Sequence, residues 1–289
     1  FIDTNVISVN DEKIQGTHFI LATGASPVIP PIPGVKEAYE KGILQTSKEL
    51  LNIQKIPKTM TVIGGGVIGI EFATVFSSFG TKVTVIEMMD NVLPNIDDDV
   101  RDAYIKNLQK ANITIKTSTT VTKVVDHKVF YSSNNNEESI TSDTILLSVG
   151  MKPNLGGLEA LNLKTTKQGI TVNDHLQTNH KHIYAIGDVT GAMMLAHVAS
   201  SHGLIAVEHI YGKARKMDYN KIPAGIYGFP EIAHVGLTEQ EAKKQNLEYL
   251  VQKFPLSANG KSLADGQTDG FVKLITTKEY KELIGMHIL

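Results

Sequence analysis

The chain has 289 residues, enough for two domains or part of a third, and its 42% apolar and 20% charged residues argue against a disordered protein. Its 28 basic and 30 acidic residues give a formal net charge of −2, so no basic excess indicates nucleic acid as a partner. Cysteine is absent, which excludes disulfides, thiolate metal ligands and a cysteine nucleophile within these residues.

The first 24 residues predict a short β-meander. Residues 5–9 and 18–22 are the expected strands, with a turn at residues 10–12 between them. The second strand ends at Thr23-Gly24. Four prolines and a glycine follow between positions 27 and 34, and because proline lacks a backbone donor, they indicate a crossing between domains.

A βαβ unit comes next in the chain. It consists of a short strand at residues 61–63, a helix from about Val67 to Phe79, and a second strand at residues 82–87. The pattern Gly64-x-Gly66-x-x-Gly69 lies where the first strand gives way to the helix. This is the context in which such glycines indicate a dinucleotide site.

Four residues of this unit carry the nucleotide hypothesis. Gly64 permits a tight turn, Gly66 lets the backbone approach a pyrophosphate, and Gly69 lets the helix lie close to the strand. The N-terminus of the helix offers free N–H groups to phosphates. Glu87 can accept hydrogen bonds from a ribose and would repel a 2′-phosphate, which favours NAD over NADP. A glycine-rich turn without a nucleotide is the competing interpretation.

The residues between this unit and position 154 predict one helix and several strands. The helix begins at Asp97, where three aspartates suit the helix dipole, and an apolar stripe runs along it to Ala111. A polar turn is expected at residues 134–138, and a second crossing at residues 150–154. The predicted strands are residues 113–116, 121–125, 128–131 and 139–149.

A buried strand at residues 182–186 ends in Gly187-Asp188, and a helix at about residues 192–211 follows. Thr23-Gly24 also ends a strand. Together the two strand ends indicate one domain interrupted by another, at about residues 30–150, that contains the βαβ unit. Ligands bind at the carboxyl ends of strands in such sheets, so Asp188 is expected to face a ligand.

Residues 222–289 are β-rich with one helix at residues 239–246. Thr238 and Glu241 at its start predict a capping box. A hairpin with strands at residues 270–276 and 282–289 is expected at the end of the chain. Because the last strand reaches the final residue and the chain starts at Phe1, we expect these residues to be part of a longer protein.

The sequence contains no pattern typical of a metal site, a serine nucleophile or a membrane span. His180-x-His182 has no third ligand nearby, so no metal site is expected. No Gly-x-Ser-x-Gly motif occurs, and no apolar run approaches the roughly 18 residues of a membrane span. The lack of cysteine fits a cytoplasmic location.

Several of these stretches together resemble the class I pyridine nucleotide–disulfide oxidoreductases: Ala22-Thr23-Gly24, residues 64–71, Val149-Gly150-x-x-Pro153-Asn154 and residues 183–188. The resemblance covers the whole chain and implies an α/β fold of FAD/NAD(P)-binding, Rossmann-like two-domain architecture, with the NAD domain inserted in the FAD domain. A truncated α+β dimerisation domain follows. The implied domains are residues 1–29 and 151–221 for FAD, 30–150 for NAD, and 222–289 for the interface.

Further stretches resemble the branch of this family that oxidises dihydrolipoamide: residues 194–197, 230–238, 254–260 and 270–274. The resemblance implies FAD and NAD as cofactors, hydride transfer from the flavin to NAD⁺, a homodimer, and lipoyl domains of 2-oxo acid dehydrogenase complexes as partners. Mercuric reductases, NADH oxidases and soluble transhydrogenases are the alternatives within the family. An NAD-binding module without redox chemistry is the alternative outside it.

The resemblance also implies roles for individual residues. The FAD site would use Thr23, Gly24, Ala25, Asp188, Met194, Leu195, Ala196 and His197. The NAD site would use Gly64, Gly65, Gly66, Val67, Ile68, Gly69, Glu71, Glu87, Val121 and Gly150. Glu71 would sit near the flavin and pair with a lysine outside this chain. The family's redox cysteines and its catalytic His–Glu pair have no counterpart here, so no catalytic residue is expected. Met151-Lys152 departs from the family's usual arginine.

Overall fold

The structure is a computed structural model that describes residues 1–134 and 136–289. The strands are β1 (Val6–Val9), β2 (Glu12–Gln15), β3 (Phe19–Leu21), β4 (Ala25–Pro27), β5 (Leu44–Gln45), β6 (Thr59–Ile63), β7 (Lys82–Ile86), β8 (Ile113–Lys116), β9 (Thr119–Val125), β10 (Lys128–Ser133), β11 (Asn136–Thr141), β12 (Thr144–Leu147), β13 (Met151–Pro153), β14 (Ile183–Ala185), β15 (Ala224–Ile226), β16 (Ile232–Gly236), β17 (Tyr249–Pro255), β18 (Phe271–Thr277) and β19 (Leu283–Ile288). The helices are α1 (Val35–Glu40), α2 (Ser47–Leu50), α3 (Val67–Ser78), α4 (Asp98–Lys110), α5 (Ala196–Ile210), α6 (Glu239–Lys244) and α7 (Gly260–Ala264).

The chain forms two compact units, each built from two separate stretches of sequence. The first unit comprises residues 1–28 and 151–219, and the second comprises residues 29–150 and 220–289. The finer division into domains given above stays a prediction.

In the first unit, β3 pairs in parallel with β14, and β4 pairs antiparallel with β13. Strands that are far apart in sequence are therefore neighbours. Apolar residues from both stretches, including Leu21, Ile183 and Val189, form one buried cluster. A second cluster joins α5 to β14 through Ile205 and Tyr184.

The predicted β-meander at the start of the chain is wrong. Asn10 and Asp11 both have positive φ, which closes a tight hairpin, so a strand that the sequence reading missed, β2, begins at Glu12 and pairs with β1. β3 pairs with β14 instead of with this hairpin. The partner of β3 is thus a strand distant in sequence, with which it shares a buried apolar cluster, and not its neighbour across the nearest turn.

The second unit contains a parallel sheet in the order β5-β12-β6-β7-β8. The predicted βαβ unit is confirmed as β6, α3 and β7, with ends shifted by one or two residues. Helix α4 is also confirmed, and Val100, Tyr104 and Leu108 of its predicted stripe are buried. The core of this unit lies between the sheet and these helices.

One predicted strand, residues 139–149, is in fact two. Between β11 and β12, the Asp143 carboxylate accepts N–H bonds from Lys58 at 2.9 Å and Thr59 at 3.0 Å. These bonds end the antiparallel ribbon β9-β10-β11 and start the parallel pairing of β12 with β6. The polar turn predicted at residues 134–138 is shorter than expected, since β11 resumes at residue 136; Asn135 lies outside the described residues.

The last part of the second unit is an antiparallel sheet in the order β15-β16-β19-β18-β17. The predicted capping box is confirmed: Thr238 Oγ1 accepts the Glu241 N–H at 3.2 Å, and Glu241 Oε2 accepts the Thr238 N–H at 2.9 Å. The helix it starts, α6, ends at Lys244, two residues before the predicted end. The terminal hairpin is confirmed as β18 and β19.

Candidate functional site

The glycine-rich turn after β6 is shaped by two glycines that packing requires. Gly64 has φ +106°, and a Cβ there would lie 2.5 Å from the carbonyl oxygen of Ser148. A Cβ on Gly69 would overlap the carbonyl oxygen of Gly64 and lie 2.7 Å from Ser148 Oγ. Any side chain at either position would therefore force the helix, the turn and the neighbouring strand apart.

Gly66 differs from both, because a Cβ there would meet no described atom within 4 Å. It precedes the first helical residue, Val67, and within the described residues no side chain caps it. The first N–H groups of an α-helix have no partner inside the helix. The turn thus presents open space and free backbone donors at a positive helix end, an arrangement that suits a phosphate group.

Glu87 is fixed beside this turn at the end of β7. Its Oε2 accepts the Gly65 N–H at 2.6 Å, and its Oε1 accepts the Met89 N–H at 2.7 Å. A Cβ on Gly65 would lie 2.5 Å from Val92 Cγ1 and 3.2 Å from Glu87 Cβ, so this glycine allows the carboxylate to come close. Each carboxylate oxygen keeps acceptor capacity for a further donor.

The remaining predicted NAD residues are less closely grouped. Ile68 lies with Val67 in the first turn of α3. Glu71 lies further along the same helix, and its Oε1 accepts the N–H of Tyr227 at 2.8 Å. Val121 is 7% exposed, and its side chain belongs to a hydrophobic cluster, so this side chain is not available to a ligand. Gly150 is exposed after β12 with φ +120°.

In the first unit, the turn after β3 is tied to the turn after β13. Thr23 Oγ1 donates to the Asn154 carbonyl at 2.7 Å, and Asn154 Nδ2 donates to the Thr23 carbonyl at 3.0 Å. The Asn154 N–H donates to the Gly24 carbonyl at 2.9 Å. Gly24 has φ +70° and no described atom within 4 Å of its Cβ position. Ala25 follows as the first residue of β4. Asn154 belongs to the Pro153-Asn154 motif, but no role for its side chain could be predicted from sequence.

The turn after β14 carries Asp188. Because β3 and β14 are parallel and in register, Thr23-Gly24 and Gly187-Asp188 follow the carboxyl ends of neighbouring strands, and the Ile186 N–H donates to the Leu21 carbonyl at 2.9 Å. Residues 187–190 form a 3₁₀ turn. Asp188 is half-buried in it.

His202 is a residue that sequence reasoning missed. It lies in α5, is 0% exposed, and its Nδ1 accepts the Gly187 N–H at 3.0 Å. Burial lowers the pKa of its imidazole below the ordinary value. In the sequence this histidine stands in the triplet Ser200-Ser201-His202, which matches no recognised functional motif.

Of the other predicted FAD residues, Leu195 is the N-cap of α5 and Ala196 is its first residue. Ala196 and His197 are exposed in the first turn, and Met194 is half-buried before it. In the part of the chain that the structure describes, no side chain caps this helix.

Over residues 1–134 and 136–289, no three His, Asp or Glu side chains group in a way that could hold a metal ion. Over the same residues, none of the helices has the length and apolar character needed to cross a membrane.

The sequence matches two family models. Residues 1–203 match the model described as pyridine nucleotide-disulphide oxidoreductase, and residues 222–289 match that of the dimerisation domain of the same proteins. Together the two models span most of the chain.

Relatives named dihydrolipoyl dehydrogenase match most or all of the chain. The protein from Acholeplasma laidlawii is 55% identical over 217 residues, which is 74% of this chain and 64% of the relative. The protein from Mycoplasma pneumoniae is 38% identical over 291 residues, covering 100% of this chain and 64% of the relative. The chain thus spans just under two-thirds of the length of these curated relatives.

Among solved structures, the HOCl-induced flavoprotein disulfide reductase RclA from Escherichia coli matches with a TM-score of 0.89 and 27% identity. The match covers 100% of this chain and 67% of that one. The α/β fold expected from the sequence is therefore confirmed.

Proposed function

Because the chain belongs to the pyridine nucleotide-disulphide oxidoreductase family, we propose that it carries the nucleotide sites of a dihydrolipoamide dehydrogenase. The reaction is the oxidation of dihydrolipoamide with NAD⁺ as the final acceptor. Matches to dihydrolipoyl dehydrogenases at 38% identity over the whole chain favour this branch over other disulfide reductases, whose structural match has 27% identity.

The observation that carries the proposal is the Glu87 carboxylate held by two backbone N–H groups beside the Gly64–Gly69 turn. A carboxylate fixed in this way can accept the hydroxyls of an adenosine ribose, while it would repel a 2′-phosphate. The open space at Gly66 and the free N–H groups of Val67 and Ile68 suit the pyrophosphate. We assign the NAD site to these residues, with Glu71, Val121 and Gly150 at its margins.

FAD would be held by the first unit. The residues are the predicted set of Thr23, Gly24, Ala25, Asp188, Met194, Leu195, Ala196 and His197. They fit a dinucleotide because Gly24 leaves open space and Asp188 lies at the carboxyl edge of β14. When bound, a flavin accepts an electron pair from a dithiol and delivers it as hydride to a nicotinamide.

This chain's own contribution to catalysis is binding and orientation. It contains no cysteine, so the thiolate needed for exchange with the lipoyl disulfide cannot come from residues 1–289. We assign no catalytic residue to it. Glu71, whose carboxylate accepts the Tyr227 N–H at 2.8 Å, keeps its proposed supporting role.

We propose a homodimer formed through residues 222–289, since these residues match a dimerisation-domain model. The proposed macromolecular partners are the lipoyl domains of 2-oxo acid dehydrogenase complexes, and the proposed location is the cytoplasm. The names of the curated relatives support the choice of partner. We retain the domain division at residues 29/30, 150/151 and 221/222 as part of this proposal.

The test is a steady-state assay of the full-length enzyme with dihydrolipoamide, following NADH formation at pH 7.5. We expect kcat/KM for NAD⁺ to exceed that for NADP⁺ by at least about 100-fold, because the unfavourable charge pair costs roughly 3 kcal/mol. Glu87→Gln removes the charge and keeps an acceptor oxygen for one of the two backbone N–H groups, so the preference should shrink by tenfold or more.

Equal kcat/KM values for NAD⁺ and NADP⁺ in the unaltered enzyme would contradict the role of Glu87. A clear NAD⁺ preference without turnover of dihydrolipoamide would instead leave the nucleotide assignment standing and overturn the substrate.

A further inference from the structure

The interior of the first unit holds a histidine with two defined hydrogen-bond partners. His202 Nδ1 accepts the Gly187 N–H at 3.0 Å, and its Nε2 lies 3.0 Å from the Tyr219 hydroxyl. The two rings are nearly perpendicular, at 88°, with centroids 5.8 Å apart. The proposed reaction requires no proton from this histidine, so its buried position needs another explanation.

The partners fix the protonation state of the ring. A backbone N–H can only donate, so Nδ1 carries the lone pair and the single ring proton sits on Nε2. Nε2–H then donates to the Tyr219 oxygen. Only this neutral tautomer satisfies both partners at once.

The same hydrogen bond sets the conformation of the turn that carries Asp188. Gly187 has φ +67°, and a Cβ on it would lie 3.1 Å from Ala199 Cβ in α5. Its carbonyl accepts the Thr190 hydroxyl at 2.8 Å. Its N–H would be a buried donor without a partner if His202 did not accept it, and such a group costs about 1–3 kcal/mol. Helix α5 therefore holds the Ile186–Gly187 peptide, and the Thr190 hydroxyl holds the Gly187–Asp188 peptide that follows it.

We propose that His202 is a positioning residue of the flavin site, which holds the Asp188 carboxylate in place through the Gly187 N–H. This inference rests on the assignment of Asp188 to the flavin in the proposed function. It makes flavin retention dependent on an imidazole that never touches the flavin.

The inference has a pH dependence with a definite sign. A proton on Nδ1 would place two donors opposite each other, so the doubly protonated ring releases Gly187. Burial lowers the pKa of His202, so the neutral ring dominates at neutral pH, and the contact is lost as the pH falls. The titratable group against the ring is Tyr219, whose pKa is raised by burial and by Asp174, and Asp188 is the next residue after Gly187 on the turn.

The test measures flavin release from the full-length enzyme by the rise in flavin fluorescence between pH 8 and pH 5, with circular dichroism to define the range in which the protein stays folded. His202→Asn places an amide oxygen near the position of Nδ1 and cannot be protonated there. His202→Leu keeps similar volume but has no acceptor. We expect release from the unaltered enzyme to accelerate about tenfold on acidification, His202→Leu to release flavin fast at every pH, and His202→Asn to retain it with a flat profile.

A His202→Asn profile with the same acid sensitivity as that of the unaltered enzyme would overturn the inference, and so would a flat profile in the unaltered enzyme. This comparison stands even where His202→Leu does not fold. An unaltered full-length enzyme that binds no flavin at all would overturn the proposed function as well, which separates the two failures.

Discussion

Lys273 and Asp97 form an ion pair inside the second unit, with 2.7 Å between Nζ and Oδ1 and side-chain exposures of 1% and 0%. Lys273 Nζ also contacts Asp99 Oδ2 at 2.6 Å and Glu239 Oε2 at 2.8 Å. One ammonium thus joins β18 to α4 and α6. The three acceptors match the three protons of the ammonium, so the buried charge is fully hydrogen-bonded.

Removing this ammonium should destabilise the protein strongly. Lys273→Met leaves the fully buried Asp97 carboxylate without its counter-charge, while Asp99 and Glu239 keep Lys253 and Lys243, and breaking a buried pair costs about 3–5 kcal/mol. The measurement is the free energy of unfolding from urea titration. Lys278→Met is the matched control, because Lys278 pairs with Glu248 on the surface, where an ion pair is worth about 0–1 kcal/mol. Similar losses in the two variants would contradict this account of the cluster.

The same cluster predicts loss of stability in acid. Hydrogen bonding to Lys273 is the main cause that lowers the pKa of Glu239 to about 2, below its ordinary 4.5. A lowered carboxyl pKa stabilises the folded state above the ordinary value, and this contribution is lost as the pH falls from about 4.5 to about 2. After allowance for partial exposure, we expect Glu239 to contribute about 2 kcal/mol. Unfolding free energies measured between pH 7 and pH 3 should fall less steeply for Glu239→Gln, and parallel curves for the two proteins would count against the prediction.

Substituting alanine at two glycines of the same turn should affect different properties: stability at Gly64 and NADH binding at Gly66. Gly64→Ala meets both the positive φ and the Ser148 carbonyl, so we expect a loss of at least about 2 kcal/mol in stability. Gly66→Ala meets open space and should fold with nearly unchanged stability, while its methyl group obstructs the pyrophosphate and weakens NADH binding by about tenfold or more. Urea unfolding and calorimetry would be measured on both variants. Unchanged NADH affinity in a folded Gly66→Ala protein would refute the phosphate role of this turn.

Asn154 should stabilise the turns at the ends of β3 and β13. Its side chain donates to the Thr23 carbonyl at 3.0 Å and accepts the Ser26 hydroxyl at 2.7 Å. Asn154→Ala should cost about 1–2 kcal/mol and should speed hydrogen exchange of the residue-154 amide, which donates to Gly24. Ser26→Ala, which removes only one of these bonds, is the graded control. If the amide exchanges equally slowly in Asn154→Ala, the side chain does not hold this turn.

The features that could be predicted from sequence are those whose cause is local. The glycine spacing, the apolar stripe of α4 and the Thr238–Glu241 box each lie within about three helical turns, and the structure contains all three elements. The β10–β11 hairpin was similarly visible as two strand patterns around a polar stretch.

The features that were missed depend on partners distant in sequence. No local pattern shows that β3 pairs with β14, or that His202 meets the Gly187 N–H, because each contact exists only after α5 and both strands have packed. Lys273 is a further case. A lysine within the strand run Phe271–Leu274 is typical of a solvent-facing position. Lys273 is nevertheless buried, because α4 and α6 bring three carboxylates to its ammonium group.

The pairing of β4 with β13 also determines how the residues between these strands are joined to the first unit. Pro27 and Met151 lie opposite each other in the ladder, and opposite residues of an antiparallel pair have Cα atoms only about 4.5–5.5 Å apart. A two-residue turn spans such a gap. From the side of the first unit, residues between these two strands therefore occupy the place of an ordinary hairpin loop, and the entropic cost of closing a loop rises only slowly with its length.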